Sequence, residues 1–237
     1  MRYKRLTALF TSSLLLLSGC SGLPQKQKQV YTDTLFDTVI RIEIHDSASE
    51  DILKGCEEIC KKYDSMFSNK VEDSEISRIN NAGGAPVEVS SETVTLIEKA
   101  IYYSDLSNGA FDITIAPVSN LWDFHADEPV PPAAETVAEA ASHVDYKNIL
   151  IKDNIIQLLD PHAAIDVGAI AKGYIADRLK DYLKDHGIRH ALINLGGNVL
   201  AIGTKLDASE YNIGIQKPFA QTGEPVTSVR LSDKSVV

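Results

Sequence analysis

Apolar and polar residues alternate over positions 34–45, with Ile40, Ile42 and Ile44 on one face, and this period of two predicts a half-buried strand. The period then lengthens. Ile52, Cys56, Ile59, Tyr63 and Met66 recur at helical spacing, after a Ser47 to Glu50 pair that reads as a capping box. A second helix is expected to start at Ser90 or Ser91, with Val94, Ile97 and Ile101 on one face, and to stop at Asn108-Gly109. Pro129, Pro131 and Pro132 mark a loop, and Ala133 to Ala141 is a short helix candidate. Residues 148–159 read as a hairpin turning at Asp153-Asn154. A long helix is expected from Gly168 to His186, closed by Gly187. His190 to Leu195 and Val199 to Ile202 read as strands around Gly196-Gly197, and Tyr211 to Gln216 as another. Hairpins mixed with long helices, without strict βαβ alternation, predict an α+β fold.

The first nineteen residues follow a different pattern. Arg2, Lys4 and Arg5 precede a short apolar run that ends in Leu14 to Leu17, followed by Ser18-Gly19-Cys20. A basic start, a short apolar stretch and small residues describe a secretory signal, and the stretch is short for a membrane-spanning helix. With cysteine at the cleavage point, residues 1–19 resemble a lipoprotein signal. Cys20 is then the lipidation site and residues 20–32, polar and rich in Gln and Lys, a tether. The expected location is the cell envelope, membrane-anchored on the extracytoplasmic side, with one domain over residues 33–237.

Charge narrows the partners. The 237 residues carry a net charge of −10, and removing residues 1–19 leaves 20 Lys+Arg against 33 Asp+Glu, a net of −13. Such a body argues against nucleic acid as a partner. Cys56 and Cys60, four apart on the first helix, read as half-buried free thiols. His125, His143, His162, His186 and His190 are scattered, without metal-ligand spacing, and no nucleophile elbow is present.

Three segments look unlike ordinary core. In Gly109-Ala110-Phe111-Asp112-Ile113-Thr114, continuing to Leu121-Trp122, a carboxylate sits among apolar residues, which costs free energy unless something pairs with it. Asp112 reads equally as a ligand contact and as a turn cap. In Asp166-Val167-Gly168-Ala169-Ile170-Ala171-Lys172-Gly173, small residues open a helix whose free N–H groups suit phosphate, with Lys172 as an added charge and Asp166 as an ordinary cap. In Asn194-Leu195-Gly196-Gly197-Asn198, a tight turn is the simpler reading, and close approach of backbone to a ligand the other.

Taken in order with Phe36-Asp37-Thr38 and the run Asp73 to Asn80, these segments resemble the ApbE family, bacterial FAD:protein FMN transferases. The resemblance implies two interleaved lobes of mixed or antiparallel sheet with packed helices, and a cofactor cleft between them. It implies FAD as substrate and Mg2+ as cofactor. It places FAD contacts at Phe36, Lys70, Ala110, Phe111, Asp112, Asp166 and Lys172, and a metal-binding backbone oxygen at Ala169. No catalytic residue is assigned. Phe36 stands where the family usually has methionine, and Lys70 where many members place a flavin-stacking tyrosine. Family members continue past the position of Val237 and complete the metal site there, so this chain alone is expected to be weakly stable and inactive. The implied reaction moves FMN from FAD to a threonine of an acceptor protein, releasing AMP. The implied acceptors are flavoprotein subunits of envelope redox complexes. FAD pyrophosphatase activity, or flavin or solute binding without chemistry, are the alternatives.

Overall fold

The computed structural model describes residues 28–123, 126, 128–221 and 223–237. Its strands are β1 (Gln29–Leu35), β2 (Thr38–Ile44), β3 (Val87–Glu88), β4 (Ile149–Lys152), β5 (Ile155–Leu158), β6 (Ala191–Leu195), β7 (Asn198–Ile202), β8 (Tyr211–Gln216), β9 (Pro225–Leu231) and β10 (Ser235–Val236). Its helices are α1 (Glu50–Phe67), α2 (Glu75–Asn80), α3 (Ser91–Leu106), α4 (Ala116–Ser119), α5 (Ala134–Ala141) and α6 (Gly168–Asp185), with a 3-10 turn at Tyr146–Asn148.

The main sheet has the order β1-β2-β6-β7-β10, and every pairing in it is antiparallel. Ile40, Ile42 and Ile44 of β2 are fully buried, as the alternation requires. Helices α1 and α6 pack on each other and against β1 and β6. They meet at Gly55, where a Cβ would come within 1.9 Å of the Tyr182 hydroxyl, so a larger residue there would have to displace the Tyr182 ring. A second sheet, β3-β5-β4, is built with α2 and α3 from residues that lie between β2 and α6 in the chain. The α+β fold is therefore interleaved: the first lobe is completed only after the second has been inserted. One hydrophobic cluster spans both, holding Ile42 and Ile193 from one and Ile97 and Ile156 from the other. β8 and β9 form a separate two-stranded ribbon.

Local chemistry explains most boundaries. The Ser90 side chain accepts the Thr93 N–H and caps α3, which ends before Asn108 and Gly109, both at positive φ. The α6 helix closes at Gly187, with φ of 78°. The Ser47 box does not form. Ser49 occupies the N-cap without a side-chain bond, and the Gln29 side chain donates to the Ala48 carbonyl, holding that residue outside the helix. Strand β1 begins at Gln29, so residues 29–32 belong to the sheet and not to a tether. Cys56 and Cys60 are free, as expected, but fully buried where half burial was expected, because the face of α1 that carries them packs into the hydrophobic core. The signal segment and Cys20 lie outside the described residues. Among the described residues no helix is long and apolar enough to cross a membrane.

Candidate functional site

A cleft of about 640 Å³ opens where the β1–β2 hairpin tip, the loop after α1, the segment after α4 and the start of α6 converge. Phe36, Lys70, Asp166 and Lys172, expected from separate parts of the chain, all line it.

Each is placed by a definite local cause. Phe36 and Asp37 are the two turn residues of the β1–β2 hairpin, both with φ of 56°. That left-handed geometry suits Asn-Gly and costs a residue such as Phe about 1–2 kcal/mol. The Phe36 N–H donates to Asp64 Oδ1 of α1 at 2.8 Å, which pins the tip in place. Strain held at a ligand cleft by such a bond is typical of positions kept for function. Lys70 follows α1 and pairs with Asp37 across 2.6 Å, both groups exposed. An exposed pair of this kind contributes roughly 0–1 kcal/mol and is opened easily.

Asp166 precedes α6 and accepts the Gly168 N–H at 2.8 Å, but it is not the N-cap expected of it: Val167 holds that position without a side-chain bond, and the Asp166 carboxylate braces the turn one residue earlier. Its own N–H donates to the Ile113 carbonyl at 2.7 Å, and the Asn80 side chain grips both backbone groups of Ile165. The Ile170 and Ala171 N–H groups close onto the Val167 carbonyl. The Ala169 N–H has no partner among the described residues, so the helix start keeps a donor and its positive dipole end available to an anion. Lys172 Nζ rests on the Gly168 carbonyl at 3.0 Å and adds a positive charge one turn in. Beneath, Phe67 stacks on Tyr63 at 5.2 Å and meets Tyr174 edge-on at 5.9 Å. Burial of Tyr63 pushes its hydroxyl up to about 12, so this floor stays uncharged.

The remaining expected residues lie around the same helix start but not in this cleft. Phe111 and Ala169 share a shallow groove with Tyr103 and Leu106. Ala169, Lys172, Gly196 and Asn198 share another, of about 590 Å³. Lys172 therefore stands on the ridge between two hollows, with all three unusual sequence segments grouped around it. Ala110 is exposed. Both Asp112 carboxylate oxygens are occupied: Oδ1 accepts the Thr114 N–H and hydroxyl at 2.8 and 2.6 Å, and Oδ2 accepts the Tyr146 N–H at 3.0 Å. Here Asp112 braces a turn. Gly196 and Gly197 form the β6–β7 turn with φ of 63° and 96°, and a Cβ on Gly196 would lie 2.5 Å from Thr38.

Among the cleft residues that carried no site expectation, two stand out. Asp64 looks like an ordinary helix charge until its bond to Phe36 is seen, and Trp122 like the end of an apolar run. For a metal, the described residues offer little. No three His, Cys, Asp or Glu side chains among them converge to hold an ion, Asp166 already accepts an N–H, and Ala169 would contribute a backbone oxygen only. They do not by themselves form a magnesium site.

Known proteins place this arrangement. The ApbE family model matches residues 36–237. A protein of Klebsiella pneumoniae named FAD:protein FMN transferase is 35% identical, over 87% of this chain and 64% of its own. One of the same name from Treponema pallidum is 26% identical, over 93% of this chain and 67% of its own. The chain thus spans about two thirds of the length of these relatives. Among solved structures, the ApbE protein of Thermotoga maritima superposes with a TM-score of 0.79 at 29% identity, covering 88% of this chain and 69% of that one. The flavin transferase ApbE of Vibrio cholerae gives 0.75 at 26%, covering 86% and 67%. With the family model covering the whole of the α+β body from the hairpin tip onward, the chain belongs to the ApbE family.

Proposed function

We propose that this protein is a flavin transferase that takes FMN from FAD and links it to a threonine of an acceptor flavoprotein, with AMP as the leaving group. The observation that carries the reading is the gathering of Phe36, Lys70, Asp166 and Lys172 in one cleft at the start of α6. An apolar wall suits a flat ring, and a helix N-terminus with a lysine one turn in suits a pyrophosphate. In the balanced step, the threonine oxygen forms a bond to the phosphorus of the FMN half. The bond from that phosphorus to the bridging pyrophosphate oxygen breaks. AMP carries away the electron pair, and the hydroxyl proton passes to solvent or a base.

The chain's own part is to hold the dinucleotide and meet the charge that develops on the phosphates. Lys172 and the free end of α6 are placed for that, and such fixed electrostatics supply much of phosphoryl-transfer catalysis. Mg2+ belongs to this reading through the family resemblance. Because the described residues do not complete a site for it, no step is routed through the ion.

The test incubates the protein, carried to the C-terminus usual in the family, with FAD and an acceptor flavoprotein, with and without Mg2+. Covalent flavin fluorescence on a denaturing gel, matched by AMP release, is expected. AMP without labelled acceptor would replace the reading with FAD hydrolysis. Retained FAD with neither product would replace it with a binding protein.

The same reading places the protein on the extracytoplasmic face of a membrane, acylated at Cys20 and serving envelope redox complexes. Its support is the basic, apolar and small-residue order of residues 1–20. Cys20→Ala is expected to abolish fatty-acid labelling and membrane association. Labelling that persists in that variant would end this part of the proposal.

A further inference from the structure

Trp122 is the only tryptophan in the 237 residues. It lines the main cleft in a half-buried position, facing the same space as Phe36 and Lys172. Its surroundings set it apart from the other large rings there. Phe67 is part of the hydrophobic core and Phe36 packs against it, whereas among the described residues Trp122 belongs to neither hydrophobic cluster nor to the residues packed on them. A large apolar ring on a cleft wall without core packing is suited to contact a ligand.

The wall itself is firmly held. The Trp122 N–H donates to the Ser119 carbonyl at 3.2 Å, ending the turn that follows α4. Ala116, at the start of α4, is 1% exposed, and Ile115 bridges to Ala164 beside the α6 entry. Upstream, Asp112 ties this same segment to Thr114 and Tyr146. The bracing carboxylate and the tryptophan are thus at the two ends of one hydrogen-bonded stretch, residues 112–122. Lys70 offers no ring and is paired with Asp37. The rings on the cleft lining are Phe36, Phe67 and Trp122, and of these Trp122 is the one that is not also a core side chain or packed on the core among the described residues.

We infer that Trp122 is the stacking contact for the isoalloxazine ring, and so a specificity residue that selects flavin nucleotides over other nucleotides with the same phosphates. This rests on the flavin reading proposed above. Trp122 supplies its own readout, because a flavin stacked on an indole quenches its emission. The protein and its Trp122→Phe variant are titrated with FAD, FMN and AMP, and the emission that only the first shows is followed. FAD and FMN are expected to quench it strongly, and AMP to leave it unchanged. Trp122→Ala is expected to weaken FAD binding, measured by calorimetry, about tenfold, the size of one aromatic stack. Its AMP affinity should stay at the wild-type value, and Trp122→Phe should recover most of the loss. If the alanine variant misfolds by circular dichroism, Trp122→Leu replaces it, keeping apolar volume without the π face, with the same expected loss. Wild-type FAD affinity without the indole, or an equal loss for AMP, would overturn the inference and leave the flavin reading standing. Failure of the wild-type protein to bind FAD at all would remove the flavin reading, and this inference with it.

Discussion

At the scale of single residues, burial decides what chemistry is available. Cys56 and Cys60 are fully buried in α1, and burial pushes both thiols up to about 12 from an ordinary value of 9.0. The folded state therefore favours the neutral thiol. That preference is complete below pH 9, and the stability it gives is lost as pH rises from 9 towards 12. Since thiolate is the reactive form, neither cysteine is expected to react with a thiol reagent at pH 8 while the protein is folded. The measurement is thiol titration of a Cys20→Ser variant, native and in guanidinium. Two thiols should appear only on unfolding, and rapid native labelling would contradict the burial. The spacing of these cysteines showed that they were free but not how deep they lay, because depth depends on what packs over the helix. Asp112 shows the same limit. A carboxylate among apolar residues demands a partner, and the sequence left open whether that partner was a ligand. In the fold, Thr114 and Tyr146 fill the role, the second of them 34 residues away.

At the scale of elements, periodicity revealed what local pattern controls. Helices α1, α3 and α6, the β4–β5 hairpin and the Gly196-Gly197 turn were all legible, since each carries its own period, cap or turn residues. Elements defined mainly by pairing were not. Strand β1 is largely polar and is a strand because all seven of its residues pair with β2 across the Phe36-Asp37 turn, which splits the single strand expected over 34–45. Two-residue β3 exists through the distant β5, and β9 through its neighbour β8. The clearest distant contact is Asn80, at the end of α2. Its side chain accepts the Ile165 N–H at 2.7 Å and donates to the Ile165 carbonyl at 2.9 Å, across 85 residues. Ile165 is fully buried, so no water replaces those bonds. Asn80→Ala is expected to cost roughly 1–3 kcal/mol in urea unfolding, the penalty for buried groups left unpaired. It should also weaken FAD binding, because Asp166 and the start of α6 follow directly from the gripped residue. Asn80→Asp, which keeps the acceptor and loses the donor, should fall between. Unchanged stability in the alanine variant would mean that Ile113 alone secures the α6 entry.

At the scale of the whole molecule, two sheets from interleaved stretches of chain share one core. Had each lobe its own core, they would unfold separately, and the cleft between them would open without loss of either. A single cluster instead joins Ile42 and Ile193 of the main sheet to Ile97 of α3 and Ile156 of β5. Tyr63 and Tyr174 meet edge-on at 5.7 Å within the same body, locking α1 to α6 beneath the cleft. Opening one lobe would therefore expose the buried face of the other, and the cost of partial unfolding approaches that of complete unfolding. One cooperative transition is expected in denaturant. Trp122 emission reports the cleft wall and far-ultraviolet circular dichroism the entire fold, so their midpoints should coincide. Ile42→Ala in the main sheet and Ile97→Ala in the inserted lobe, each replacing a side chain with no exposure, should each cost about 2–5 kcal/mol. The discriminating outcome is the effect of each substitution on the distant probe. If Ile42→Ala moves the tryptophan midpoint as far as the dichroism midpoint, the lobes fold as a unit and the cleft keeps its shape for as long as the protein is folded. If the two midpoints separate in either variant, the shared core does not couple the lobes, and the cleft can open on its own.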